Sequence, residues 1–192
     1  MQNQFTRTYR IWHWLMAFSV IGLLGTVLLR KTFLSWHTNS NIIISKLSEH
    51  SIEISADISK EIAKAIRAGM WEWHYIFGLI LGISILIRIY MMLSKQAQHP
   101  IVKLLQAPSE KKIQYTVYLF LCFFVVMISL SGGFLYFYKD LGFTKDAIHW
   151  VKEAHELMMW GIIIFASLHL AGVLKHELDT KESIVSKMIH GD

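Results

Sequence analysis

Four stretches of this 192-residue chain run for at least eighteen residues with almost no charge, and no other feature limits the fold as much. They extend from Ile11 to Leu29, Trp73 to Leu93, Tyr115 to Tyr138 and Leu157 to Leu174. At 1.5 Å of rise per helical residue, each is long enough to cross a hydrocarbon core of about 30 Å. Lipid offers the backbone no hydrogen-bond partners, and none of the stretches alternates apolar with polar residues as a barrel strand does, so each is a helix. The expected fold is an all-α membrane protein, a four-transmembrane-helix bundle forming one domain over residues 1–192, with both termini on one side. A mean hydropathy of +0.40 and only 17% charged residues agree with a membrane chain.

The first stretch is not read as a signal peptide. Arg7 and Arg10 precede it, but no small-residue cleavage site follows Leu29, and His13 lies between Trp12 and Trp14 at its start. The net charge of +5 does not point to nucleic acid, because the basic residues are scattered over loops and ends. Ten Lys and Arg fall on the side that holds the termini and nine on the other. With the long first loop discounted, this balance favours cytoplasmic termini. That loop, residues 30–70, carries Ile58, Ile62 and Ile66 at four-residue spacing within "SADISKEIAKAIRA". The pattern predicts an amphipathic helix with Ser55 or Asp57 near its N-cap, lying across the mouth of the bundle as a plain surface helix or a docking element.

One cysteine, Cys122, excludes an internal disulfide, a thiolate zinc site and an iron–sulfur cluster. Histidines are plentiful. His37, His50, His99, His149, His176 and His190 fall in loops or tails and read as solvated, whereas His13, His74, His155 and His169 lie at the ends of spans. An ionisable side chain at membrane depth is costly and needs a partner or a function. His155 and His169 are fourteen residues apart, a rise of about 21 Å with both side chains within about 40° of one face.

Alternating span direction then places His74 level with His155 towards the outside and His13 level with His169 towards the inside. Two imidazoles at each of two depths suit six-coordinate haem iron, one below and one above a flat macrocycle. The pattern predicts two b-type haems, with His13 and His169 holding the inner iron and His74 and His155 the outer. Zinc or copper would want more ligands around one centre.

A porphyrin between helices needs room, which Gly22, Gly25 and Gly78 would supply. Gly82, Gly132, Gly133, Gly161 and Gly172 read as helix contacts, and "GLILG" around Gly78 and Gly82 fits a small-residue packing motif. Arg10 and Arg88 fall near the inner level, where they would meet haem propionates. Arg88 would otherwise be an interfacial anchor, and Lys175 reads as one.

"YRIWHWLMAFSVIGLLG", "HYIFGLILGISILIRI" and "KEAHELMMWGIIIFASLHLAGVLKH" resemble the bacterial cytochrome b561 and nickel–iron hydrogenase cytochrome b superfamily. The resemblance covers all four spans, and His13, His74, His155 and His169 match its haem-ligand positions. It implies di-haem electron transfer to or from quinone in the bacterial inner membrane. The first loop is longer than in compact members. A dehydrogenase, hydrogenase or c-type cytochrome docking outside, near His50, Trp71 and Trp73, is the partner this reading expects. The alternatives are a free-standing superoxide:quinone oxidoreductase and a haem-free transporter or assembly factor. Nearly neutral outer loops lean away from the first. Unbroken helices without a central acid lean away from the second.

Overall fold

The computed structural model describes residues 5–180 and 183–191, and these are helical with no strand. In chain order the helices are α1 (Arg7–Lys31), α2 (Trp36–Ser48), α3 (Ala56–Ile66), α4 (Ala68–Leu93), α5 (Pro100–Leu105), α6 (Lys112–Phe137), α7 (His149–Asp179) and α8 (Ile184–Ile189), with a 3-10 turn at Ser109–Lys111. Four of them, α1, α4, α6 and α7, lie in helical segments long and apolar enough to span a membrane. The spans are the predicted ones, and each helix starts before its apolar window does.

The largest extension is in α7, which starts eight residues before the apolar window and ends five after it. Its first turns are amphipathic. His149 faces Glu153 and Lys152 faces Glu156, both at 3.8 Å with i,i+4 spacing, so the helix continues where the bilayer gives way to headgroups.

Two compact units emerge, to which α1 and α4 both contribute. One runs from Met16 to Leu81; the other holds the chain up to Leu15 and from Gly82 onward. In the first unit α3 has the predicted N-cap: Ser55 Oγ accepts from the Ile58 amide at 3.3 Å. α2 was not foreseen, because its apolar residues Ile42, Ile43 and Ile44 are consecutive and give no helical period. Its signal is the cap at Ser35, whose hydroxyl accepts from the Thr38 amide. The two helices meet through small residues. Ser59 and Ala63 are fully buried, and Ser59 Oγ donates to the Ser40 carbonyl at 2.7 Å.

In the second unit α6 packs on α7. Phe165 lies between Phe120 and Phe124, with ring centroids at 5.2 and 5.6 Å. Gly161 sits under the Phe124 ring, where a Cβ would come within 2.5 Å, so its reading as a helix contact holds. The packing motif expected of "GLILG" is corrected. Among the described residues, a Cβ at Gly78 or Gly82 would meet nothing within 4 Å. α8 folds back on the end of α7, with the Val185 amide donating to Glu177 Oε1 at 2.7 Å.

Candidate functional site

His13 and His169 lie in the same unit, brought together by α1 and α7. Their ring centroids are 6.4 Å apart and the rings are tilted by 52°. With each metal–nitrogen bond at about 2.0–2.1 Å, an imidazole–metal–imidazole axis measures about 6.3–6.5 Å between ring centroids. The separation of the two rings matches that distance. His13 Nδ1 is buried and has no hydrogen-bond partner among the described residues. No group of three or more His, Cys, Asp or Glu converges among those residues.

The other two histidines are each tied to a hydroxyl that sequence reasoning missed. Thr26 Oγ1 lies 2.8 Å from His74 Nδ1, and Ser131 Oγ lies 2.9 Å from His155 Nδ1. Both hydroxyl hydrogens already have acceptors. Thr26 donates to the Leu23 carbonyl at 2.7 Å, and Ser131 to the Met127 carbonyl at 2.9 Å. A hydroxyl oxygen that donates to its own helix can still accept from a ring N–H, so each hydroxyl sets the orientation of its imidazole through Nδ1.

Thr26 and Ser131 stand towards the loop ends of their spans, at the level of the histidines they hold. Matching depths would have found them. Gly132 fits the same arrangement, since a Cβ there would lie 3.1 Å from His155 Cε1.

Of the glycines predicted to make room, Gly22 and Gly25 line a cavity of about 390 Å³ with Thr26, Trp73 and Phe77. Gly25 opens into space, as does Gly78, whereas Gly22 is covered by the Phe77 ring, 2.7 Å from where a Cβ would be. Trp71 meets His74 edge-on at 5.7 Å, and the Arg30 guanidinium lies 5.6 Å from the Trp71 ring centroid.

Arg88 is only 8% exposed. Its guanidinium packs on Trp12 at 5.0 Å and Tyr9 at 5.6 Å. Nη2 donates to the Gln98 carbonyl at 3.3 Å and to the Tyr118 hydroxyl at 3.2 Å, while Nε and Nη1 are buried with no partner among the described residues. Trp12 is fixed in turn by its indole N–H, which donates to the Ser84 carbonyl at 2.7 Å. Lys103, outside the spans, has its pKa lowered by burial and by the charge of Arg88. The two cations share a partly buried region, which an anion would stabilise.

Arg10 is turned towards the chain's end. Nη1 donates to the Ile189 carbonyl at 3.2 Å, and Gly191, at φ +92°, lies so close that a Cβ would sit 2.5 Å from Nη1. Arg10 Nε is buried without a partner among the described residues. Trp14, one turn on, donates to the Met188 carbonyl at 3.3 Å.

The chain thus carries two facing imidazoles in one unit, two further imidazoles each oriented through Nδ1, and a buried guanidinium with donors to spare. A family model described as prokaryotic cytochrome b561 matches residues 4–191. Comparison with curated proteins and with solved structures gives no match.

Proposed function

The chain belongs to the prokaryotic cytochrome b561 family, and we propose that it carries two b-type haems at separate depths and passes electrons between a redox partner at its loop end and membrane quinone. Family membership makes it a multi-pass membrane cytochrome that binds b-type haem and transfers electrons. Two haems, their ligands, the quinone and the partner are what the proposal adds.

The facing of His13 and His169 carries the reading. Two neutral imidazoles at this spacing offer one lone pair to each side of an iron, and α7 then supplies a second histidine, His155, about 21 Å away along the same helix. His74 is assigned to the second haem with His155 from the sequence, since each stands near the start of a span that begins on the loop side. Haem, when bound, supplies a one-electron couple at its iron.

The chain's own residues do the rest. Thr26 and Ser131 orient His74 and His155 through Nδ1, which would leave Nε2 as the ligating nitrogen of each. Gly25 and Gly78 leave the helix surface low enough for a macrocycle to approach, whereas the room expected at Gly22 is taken by the Phe77 ring. Arg88 offers Nε and Nη1 to a propionate, which would balance a charge otherwise buried among aromatic rings, and Arg10 Nε offers one more donor. The helices exclude water, and burial together with these charges sets the potential of each site. Quinone and the bacterial inner membrane with cytoplasmic termini complete the reading.

Haem content per chain and a potentiometric titration of the purified cytochrome test it. Two haems and two resolved components are expected; one haem per chain in haem-replete material would overturn it.

A further inference from the structure

The α2–α3 hairpin turns the wrong residues outward for a surface that faces water. On α3 the small residues Ser59 and Ala63 are buried against α2, while Ile58, Ile62 and Ile66 are 50%, 40% and 56% exposed. These isoleucines form one stripe along three turns. The charged residues of the helix, Asp57, Lys60, Glu61 and Lys64, lie about 100–160° around from its centre. Lys60 is drawn further from the stripe by the Trp36 ring, with Nζ 5.0 Å from the centroid.

Chain connection says what covers this face. α3 ends at Ile66 and α4 begins at Ala68, so a single residue, Arg67 at φ −85° and ψ 0°, joins the stripe to a membrane-spanning helix. The charge-free run of α4 starts at Trp73, seven residues beyond Ile66, and Trp71 and Trp73 are the aromatic pair that marks a bilayer interface. The C-terminal end of α3 is thereby tied to that level. The other strand of the hairpin also starts there, because Phe33, 81% exposed, follows α1 by two residues.

We propose that α3 lies in the interfacial layer of the bilayer, with Ile58, Ile62 and Ile66 set into the boundary of headgroups and acyl chains and its charged face towards water. The stripe continues the lipid-facing surface of α4 and is not a landing place for a soluble partner. The loop end then meets its redox partner on other residues. This inference stands apart from the haem reading.

The test uses the full-length cytochrome in vesicles of phosphatidylethanolamine with phosphatidylglycerol. A nitroxide is attached at Ile58→Cys, Ile62→Cys or Ile66→Cys in a Cys122→Ser background, with Lys64→Cys as comparator. Collision with oxygen should exceed collision with a water-soluble nickel chelate at all three isoleucine positions, with the order reversed at position 64. Equal nickel access at positions 62 and 64 would show a face open to water and overturn the proposal. So would spin–spin broadening at position 62 that disappears on dilution with unlabelled protein, because a second copy would then cover it.

A photo-crosslinking benzophenone residue at position 62 gives a second readout that leaves Cys122 intact. A phospholipid adduct by mass spectrometry is expected. An adduct of another polypeptide would overturn the inference.

Discussion

His13 and His169 stand beside each other, whereas His74 and His155 are each held by a hydroxyl. At the termini end the rings already stand 6.4 Å apart, and His13 Nδ1 has no partner among the described residues. Thr26 and Ser131 each hydrogen-bond Nδ1 of the histidine beside them, one in each unit. An imidazole whose far nitrogen donates a hydrogen bond is a more basic ligand and is held in one orientation. The two ends should therefore differ in potential and in how they respond to damage.

Removing a ligand gives the largest effect. His13→Ala or His169→Ala should abolish one redox component and spare the other; His74→Ala or His155→Ala should do the converse. Titration of the four variants checks this. If His13→Ala and His74→Ala removed the same component, the pairing would be broken and the comparison with it.

Next comes Arg88→Leu. Hydrogen bonds to charged groups contribute about 1.5–3 kcal/mol, so loss of a propionate contact should weaken haem retention at the termini end by about 10- to 100-fold. The loop-end component should be unmoved. Haem loss to an apoprotein acceptor, followed spectroscopically, measures it, and equal rates in variant and parent would make Arg88 an anchor only.

The hydroxyls sharpen the contrast. Thr26→Val and Ser131→Ala keep the shape of the site but remove the acceptor, and partners of metal-ligating histidines are worth about tenfold in metal affinity at the low end of their range. The loop-end component alone should lose affinity and fall out of line with the parent's potential. A matching change at the termini end would mean that the hydroxyls act on the whole fold.

Gly132→Ala should do least. Its Cβ would press on His155 Cε1 from 3.1 Å, and a displaced rotamer costs about 0.5–1.5 kcal/mol. A shifted loop-end spectrum with haem retained is expected; an unchanged spectrum would show that the ring has room to yield.

The parts of this comparison differ in how well the sequence disclosed them. The spans and the shared helix of His155 and His169 were legible because charge-free length and a fourteen-residue interval are properties of a single helix. Thr26 and Ser131 were not, since a hydroxyl in an apolar helix most often bonds its own backbone, as both of these also do. Their second bond crosses from one helix to another. α2 escaped because three consecutive isoleucines carry no period. The isoleucine stripe of α3 was visible, but its exposure was not, because periodicity names an apolar face without saying whether protein or lipid will cover it. For Arg88 the sequence showed a costly charge; the rings of Tyr9 and Trp12 and the hydroxyl of Tyr118 that surround it come from two other helices, α1 and α6.

The uninterrupted run of α7 from His149 to Asp179 bears on how this gene can change over generations. Between His155 and His169 lie thirteen residues, and replacing one of them changes a side chain without changing the interval. Deleting one turns everything beyond it by about 100° and carries His169 off its face. Codons in that interval are thus open to respelling and closed to gain or loss. Descendants that keep both histidines in use should vary in letters there while holding the count, and a working descendant with twelve would have to carry a kink or bulge that restores the phase.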